Sequence, residues 1–568
     1  MITDLKINEE NKKRYYEQGY WTEKTVNDIW NDRVAAHPDR EYISDDMGVR
    51  LTYAEIDDKA ARLASWLREQ GIQNGDVVTF QMPPWSEFAI LYVACLKVGA
   101  VIHPLAVTFN GEDLVYAMNL VESKAFIAPT FHHKTNFEDQ IFSVVERIPS
   151  LPINAIAVHD KTVDAKSATT LKEIFEKYEP YTGEAGSKSD EVVLILSTSG
   201  TTGRPKAVLI THNALLFSER AFSTGLGLTK DDVMFMPAPL NHATGFNHGL
   251  ITPLLLGGRV VVAHHFNPEE AINQMNREGV TWSMGATPFI YDMLNTADST
   301  DLDFESLKLY ICGGAPVPGS MVERAASHDV VLCECYGSTE SCPHLFVPPA
   351  KALEWDGAWS GVAPEGIEVK VVDEFGNEVP HGEQGEELSR GPHMFAGYLK
   401  NPCLLYTSSA ASDVYKRQGY LKNPEATASE LSDDGWFSSG DLCYMDDEHR
   451  IRINGRKKEI LIRGGINISA NEVDENLMGC PGVGDHATIG LPDDRLGERI
   501  CTFIVLEDPH AERPTLDSIA DYLTAKGIAK RLWPEHIEFI DEIPHTESGK
   551  VKRHQLADEL DKRLKAAK

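Results

Sequence analysis

The chain has 568 residues, 54 Lys plus Arg against 86 Asp plus Glu, and a formal net charge of −32. Bulk electrostatics of that sign argue against nucleic-acid binding and against attachment to anionic membranes. With 42% hydrophobic and 25% charged residues, the composition is that of a large soluble protein of several domains.

The opening MITDLKINEENKKRYYEQGYW has no apolar h-region, so no secretory signal is expected. No run of about 18 apolar residues promises a membrane span. The nine cysteines are scattered, and Cys333 and Cys335 find no second pair to complete a zinc pattern. Buried free thiols in a reducing cytosol are expected.

In LTYAEIDDKAARLASWLREQG, Thr52 and Glu55 form a capping box. Ile56, Ala60, Leu63 and Leu67 keep one helical face apolar, and Gly71 marks the stop. DVVTFQMP follows as a strand, then SEFAILYVACLKVGAVIHPL as a buried helix and a further strand. Such alternation predicts α/β layering on a largely parallel sheet. TGEAGSKSD (Thr182–Asp190) is a polar linker before the next core strand. From about Ala363, GIEVKVVDEFGNEVPHGEQGEE predicts short strands and Gly turns, a small β-rich subdomain. After Arg456 a shorter stretch of mixed helix and strand runs to the end.

Five stretches carry chemistry. In EVVLILSTSGTTGRPKAVLITHN an apolar strand runs into a Ser/Thr/Gly loop that ends at Lys206, and a second strand follows. Glycines allow close backbone approach, and N–H groups, hydroxyls and one lysine make an anion cradle. The spacing is not that of a Walker A loop, and no helix follows. A plain hairpin turn favours the same residues; the hydroxyl run ending in lysine tips the balance toward phosphate. YGSTE (Tyr336–Glu340) offers an aromatic face, a hydroxyl and a carboxylate, suited to a base, a phosphate and a magnesium ion or to a surface turn. GWFSSGDL (Gly435–Leu442) carries Asp441, a candidate for two ribose hydroxyls or a simple cap. GRKKEILIRGGINIS (Gly455–Ser469) is basic within an acidic protein. PHTESGKVKR (Pro544–Arg553) is polar and ends basic; alone it would read as a loose tail.

In this order and spacing the stretches resemble the adenylate-forming superfamily of acyl- and aryl-CoA synthetases, adenylation domains and luciferases, from about Thr25 to Arg553. The resemblance implies an α/β fold: a large N-terminal domain of two α/β subdomains plus a small β-rich subdomain (1–455), and a small mobile α+β C-terminal domain (456–568). It implies ATP, Mg²⁺ and coenzyme A, and a cytoplasmic enzyme that forms an acyl-AMP from a small carboxylic acid. By position it assigns Thr198, Ser199, Gly200, Thr201, Thr202, Gly203 and Lys206 to the β,γ-phosphate loop. Gly313, Gly314, Ala315 and Pro316 run along the adenine, on which Tyr336 stacks. Thr339 contacts the α-phosphate and Glu340 is the magnesium ligand. Asp441 and Arg456 hold the ribose, and Lys458 is the hinge. Gly464 and Gly465 line the pantetheine tunnel, and Lys550 is the catalytic lysine of adenylation. Ala207 departs from the usual glycine, which a negative φ would tolerate.

For the acid, MPAPLNHATGFNHGL (Met236–Leu250) resembles the family's acyl pocket, with His242 at the gate near the carboxylate. The Asp that grips an α-amino group in amino-acid adenylation domains is absent; Ala243, Thr244 and Gly245 stand there. Small residues at Ala243, Gly245 and Gly285, with Ala286, Thr287 and Phe289, suggest an apolar slot with room for an alkyl chain. The wording is nearest to bacterial short- and medium-chain fatty acyl-CoA synthetases. The alternatives are an aryl-acid ligase of the 2,3-dihydroxybenzoate type that loads a carrier protein, and a non-catalytic nucleotide-binding regulator.

One phrase occurs twice: GYLKNP at Gly397–Pro402 and again at Gly419–Pro424. Either copy supplies what the family has after RGPHMFA. CLLYTS (Cys403–Ser408) and DVYKRQ (Asp413–Gln418) can be encoded by opposite strands of one short DNA element resembling a transposon-end adaptor. Residues 403–424 are therefore expected to be an assembly insert, which a surface loop would accommodate at small entropic cost.

Overall fold

The computed structural model describes residues 2–566 apart from 3–4, 110, 133–134, 138–143, 145–146, 149–152, 158–168, 199–205, 315–316, 400–430, 457–459, 464–465, 494–496, 509–511 and 547–549. The repeated phrase's second copy and the whole of 403–424 lie outside them.

The described residues form two large sheets that share one core. In the eight-stranded sheet the order is Leu345–Phe346, Val331–Tyr336, Leu309–Gly313, Trp282–Gly285, Val233–Met236, Arg259–Val262, Glu41–Asp45, Arg50–Thr52. All neighbours are parallel except the outermost pair at each end. In the seven-stranded sheet Lys206–Thr211 lies antiparallel beside Val192–Thr198, and parallel strands Val101–Leu105, Val77–Gln81, Ala125–Pro129, Ile153–Ala157 and Thr169–Thr170 follow. Strands buried on both faces need near-continuous apolar runs, which VVTFQ and VIHPL supply.

The expected helix forms over Tyr53–Glu69. The Thr52 hydroxyl accepts from the Glu55 N–H at 3.2 Å, and the Glu55 carboxylate accepts from the Thr52 N–H at 2.8 Å. Ile56, Ala60, Leu63 and Leu67 are buried, and Gly71 follows at φ 93°. Helix Glu87–Val98 is buried nearly all round and ends at Gly99 in the left-handed region. The Thr182–Asp190 linker has no regular structure but is docked: Asn74 donates to Gly186 O at 3.0 Å, and a methyl on Gly99 would meet Ala185 O at 2.4 Å.

The β-rich part is an antiparallel sheet of Glu368–Val372, Gly385–Arg390, Phe437–Met445 and Ile451–Arg456. Beyond it a five-stranded sheet with helices Ala470–Leu477, Leu516–Ala525 and Arg553–Ala566 forms the small C-terminal domain with its own core. A large N-terminal α/β domain and a small C-terminal domain are thus present. The eight described cysteines are free and buried. Among the described residues, no helix is long and apolar enough to cross a membrane.

Candidate active site

Parallel strands deliver their carboxyl ends to one edge, and the loops that leave that edge are where open α/β sheets bind ligands. Four adjacent strands of the eight-stranded sheet end at Met236, Gly285, Gly313 and Tyr336. Immediately after them come the His242 segment, Ala286–Thr287, Gly314, and the Gly337–Glu340 turn. The topology alone therefore gathers the candidate acid-binding and nucleotide-binding residues.

The phosphate-loop candidate sits on a hairpin. Thr198 and Lys206 are cross-strand partners in the ladder, and the loop residues Ser199, Gly200, Thr201, Thr202 and Gly203 lie outside the described residues. Ala207 continues the ladder opposite Ser197, in extended backbone that accepts its methyl. Below the loop, buried His103 contacts the Ser197 hydroxyl through Nε2 at 3.1 Å and Thr79 through Nδ1 at 2.8 Å. Burial lowers His103 to about 3, so it is a neutral strut. Lys206 rests its ammonium 4.6 Å from the centre of the Tyr398 ring.

Gly313 has no space for a side chain, because a methyl would meet Cys335 Sγ at 2.9 Å. Gly314 takes φ 93°, and Ala315 and Pro316 lie outside the described residues. Tyr336 donates its hydroxyl to Asp441 Oδ2 at 2.6 Å, and burial and that carboxylate's charge push the phenol well up. Asp441 is the cross-strand partner of Arg456, whose side chain is outside the description. The two candidate ribose ligands are thus ladder neighbours in the antiparallel sheet, and the Tyr336–Asp441 hydrogen bond joins them to the candidate adenine platform at the end of a strand of the eight-stranded sheet.

Thr339 and Glu340 lie in the turn after Tyr336, and Glu340 Oε1 accepts from the Tyr398 hydroxyl at 2.8 Å. The turn rests on a buried polar network. His344 Nε2 lies 3.2 Å from Glu387 Oε1, and His344 Nδ1 lies 2.9 Å from the Ser341 hydroxyl and 3.3 Å from Ser341 O. Ser341 Oγ also lies 2.9 Å from His393 Nε2, and burial holds His393 well below the usual imidazole range. None of His103, His344, Glu387 or His393 was singled out by motif spacing.

No group of three or more His, Cys, Asp or Glu capable of holding a metal occurs among the described residues. The single carboxylate of Glu340, held by the Tyr398 hydroxyl, fits a magnesium ion that takes most of its ligands from substrate phosphates. Glu340 has a second carboxylate oxygen for that purpose.

On the acid side, His242 Nδ1 accepts from the Thr244 N–H at 3.2 Å, which leaves the proton on Nε2. Burial first, then the charges of Lys550 and His248, lower His242 to about 4. The chain then runs as a π-helix over Thr244–Ile251, a form frequent at functional sites. Within it buried His248 contacts Glu219 at 2.7 Å, and Thr252 donates to the same carboxylate oxygen at 2.6 Å.

The glycines expected to leave room for an alkyl chain lie against other atoms of the protein at two positions. A methyl on Gly245 would lie 2.1 Å from Pro239 O, and one on Gly285 would lie 2.6 Å from the Tyr310 hydroxyl and 2.9 Å from Phe289 Cδ2. Close packing accounts for both glycines. Ala243 is buried, and Thr287 contacts Cys312 Sγ at 3.2 Å beside Ala286 at the helix start.

Lys550 comes from the C-terminal domain and is bonded to Thr546 on both sides of its backbone. The Thr546 N–H donates to Lys550 O at 2.8 Å, and the Lys550 N–H to Thr546 Oγ1 at 3.0 Å. Its Cε lies 3.7 Å from where a methyl on Gly314 would sit. Lys550 therefore reaches Gly314 of the large domain, close enough to depress His242. Lys458, Gly464 and Gly465 lie outside the described residues.

The chain matches the family model of the AMP-binding enzyme over residues 30–399 and that of the AMP-binding enzyme C-terminal domain over 472–550. It is 38% identical to a medium-chain fatty-acid–CoA ligase of Escherichia coli (strain K12), over 99% of this chain and 95% of that protein. It is 27% identical to a 2,3-dihydroxybenzoate-AMP ligase of Bacillus subtilis (strain 168), over 97% of this chain and 96% of that protein. Among solved structures it superposes on ATP-bound MatB from Rhodopseudomonas palustris with a TM-score of 0.79 at 26% identity, covering 94% of this chain and 99% of that one.

Proposed function

The chain belongs to the AMP-binding enzyme family and is an AMP-forming acid–CoA ligase, and we propose that its acid is a short- or medium-chain fatty or alicyclic carboxylate. The observation that carries the reading of the site is the approach of Lys550 to Gly314 and to His242.

A carboxylate is a poor acyl donor, because its leaving group would be oxide. Its attack on the α-phosphorus of ATP expels pyrophosphate and leaves an acyl-adenylate, from which AMP is a good leaving group. Negative charge grows on the α-phosphate oxygens during that attack. Lys550 and the Thr339 hydroxyl are assigned to it; losing a preorganised contact of this kind typically costs about 10²–10³ in rate. Lys206 and the loop Thr198, Ser199, Gly200, Thr201, Thr202 and Gly203 are assigned to the β- and γ-phosphates. Tyr336, with Gly313, Gly314, Ala315 and Pro316, is assigned to the base, and Asp441 with Arg456 to the ribose. Glu340 would hold magnesium, which when bound neutralises phosphate charge.

His242 is neutral above about pH 4, with Nε2 protonated. It can donate a hydrogen bond that orients the acid without an ion pair that would blunt the carboxylate as a nucleophile. In the second half-reaction the CoA thiol attacks the acyl carbon and AMP leaves. We assign Lys458 as the hinge about which Lys550 withdraws and Gly464 and Gly465 approach the pantetheine arm.

ATP–pyrophosphate exchange with octanoate, cyclohexanecarboxylate, benzoate or no acid tests the substrate class. Exchange with the first two and CoA-dependent AMP release are expected. Exchange confined to aromatic acids, without CoA-dependent release, would favour a carrier-loading aryl-acid ligase, the reading supported by the 27% identity to the dihydroxybenzoate enzyme.

A further inference from the structure

We infer that Tyr398 is a positioning residue that ties the loop lysine and the candidate magnesium carboxylate into one unit. The inference rests on the assignment of Glu340 and Lys206 given above.

Tyr398 sits where two ladders meet. On one side, the Leu209 N–H donates to Gly397 O at 3.0 Å and the Leu399 N–H to Ala207 O at 3.0 Å, which sets Tyr398 opposite Val208 on the strand that begins at Lys206. On the other, the Phe395 N–H donates to Glu340 O at 2.9 Å, and Met394 bridges to Ser341. The segment 394–399 is thus pinned both to the strand leaving the phosphate loop and to the YGSTE turn. Its one tyrosine spans the gap: the hydroxyl donates to Glu340 Oε1 at 2.8 Å, and the Lys206 ammonium lies 4.6 Å from the ring centre.

The consequences follow from ordinary chemistry. A carboxylate holding one short hydrogen bond on Oε1 keeps its rotamer and presents Oε2, and the same bond restrains the pivoting of a flexible Glu side chain. An ammonium on an aromatic face is attracted by the ring quadrupole, which restrains where the lysine side chain reaches. A shift of the loop strand moves Tyr398 and with it the acid that answers the metal.

The copy of GYLKNP before the insert supplies this tyrosine. Excising 397–418 or 403–424 yields the same chain, and either leaves one tyrosine at this place.

Two substitutions separate the hydroxyl from the ring. Tyr398→Phe removes the hydrogen bond and keeps the ring; Tyr398→Leu removes both. The probe is α,β-methylene-ATP, titrated calorimetrically over a series of free Mg²⁺ concentrations, alongside pyrophosphate exchange and the melting temperature of the unliganded protein. Tyr398→Phe should raise the half-saturating Mg²⁺ about tenfold, change nucleotide affinity at saturating Mg²⁺ less than twofold, and leave the unliganded melting temperature within a degree or two. Tyr398→Leu should add a roughly tenfold loss of nucleotide affinity at low salt. In a Glu340→Gln background the Phe substitution should produce no further Mg²⁺ shift.

An unchanged Mg²⁺ requirement in Tyr398→Phe, with Glu340→Gln shifted, overturns the inference and leaves the assignment of Glu340 standing. An unchanged requirement in both removes that assignment as well. A lowered melting temperature with no Mg²⁺ shift assigns Tyr398 to packing alone and equally overturns the inference.

Discussion

Adding one methyl group at Gly245 discriminates packing from substrate space. The new Cβ would lie 2.1 Å from Pro239 O, 2.7 Å from its carbonyl carbon and 2.8 Å from Leu240 Cα. All three are backbone atoms, so no rotamer change relieves the overlap, and the first turn of the π-helix must move. Overpacking a buried site costs about 1–3 kcal/mol, and a clash with backbone belongs at the upper end. At roughly 2–4 °C per kcal/mol for a folding unit of this size, Gly245→Ala should melt about 6–12 °C lower. Calorimetry reads the melting temperature, and pyrophosphate exchange over a ladder of straight-chain acids reads the substrate profile. The expected result is a lower melting temperature with activity reduced evenly along the ladder. An unchanged melting temperature with a shift toward shorter acids would refute the packing argument and return Gly245 to the wall of an alkyl slot. Gly285→Ala is the companion: its neighbours are the Tyr310 hydroxyl and the Phe289 ring edge, side-chain atoms that can turn aside. Its loss should be smaller, about 1 kcal/mol.

Three further outcomes are expected. Burial pushes the Glu334 carboxyl from 4.5 up to about 7 even though Arg452 lies 3.2 Å away. The folded chain therefore holds a proton there that the unfolded chain has released, and the group's contribution to stability, complete below pH 4.5, falls away as pH rises through 7, by about 3 kcal/mol in all. Glu334→Gln should flatten the fall in melting temperature between pH 5 and 8; an unaltered slope would contradict this. Arg553 donates to Asp474 at 2.6 Å, to Asn471 at 2.6 Å and to Thr488 O at 3.0 Å, fixing the segment that carries Lys550 to the small domain. Arg553→Ala leaves the buried Asp474 carboxylate poorly compensated, at a cost of about 3–5 kcal/mol, and should slow adenylate formation at least tenfold; an unaltered rate would detach the segment from that anchor. Because His242 titrates near 4, adenylate formation should show no histidine inflection between pH 5.5 and 8; an inflection near 6.5 abolished by His242→Gln would contradict the assigned protonation state.

Local signals made much of the fold legible. Thr52 with Glu55, the apolar stripe of Ile56 to Leu67, and Gly71 are enough to start, orient and stop one helix, since each acts within a turn or two of its neighbour. The change at Ala363 from long helices to short strands and Gly turns marks the antiparallel sheet for the same reason. What escaped notice is long-range. Tyr398 reaches Glu340 across 58 positions, His103 reaches Ser197 across 94, and His344 reaches Glu387 across 43. No spacing rule couples residues so far apart, and each would pass for an ordinary core or loop residue in isolation. The π-helix over Thr244–Ile251 left no mark because no period in the text signals its widened turn. The helix Glu9–Glu17 was missed because its surface is polar. It is held by docking, with Tyr16 donating to Asp190 at 2.7 Å and Arg14 to Glu368 at 2.9 Å. Which neighbours crowd a small residue is equally long-range: at Gly245 and Gly285 the place a methyl would take is already occupied by other atoms of the protein.

The most direct test is a single-turnover measurement of acyl-adenylate with octanoate and ATP in the absence of CoA, comparing the native chain with Lys550→Ala. The account predicts adenylate in the native reaction and a loss of about 10²–10³ in its rate of formation in the variant, with nucleotide binding through Lys206 and Asp441 retained. Adenylate forming at the native rate without the Lys550 ammonium would contradict it.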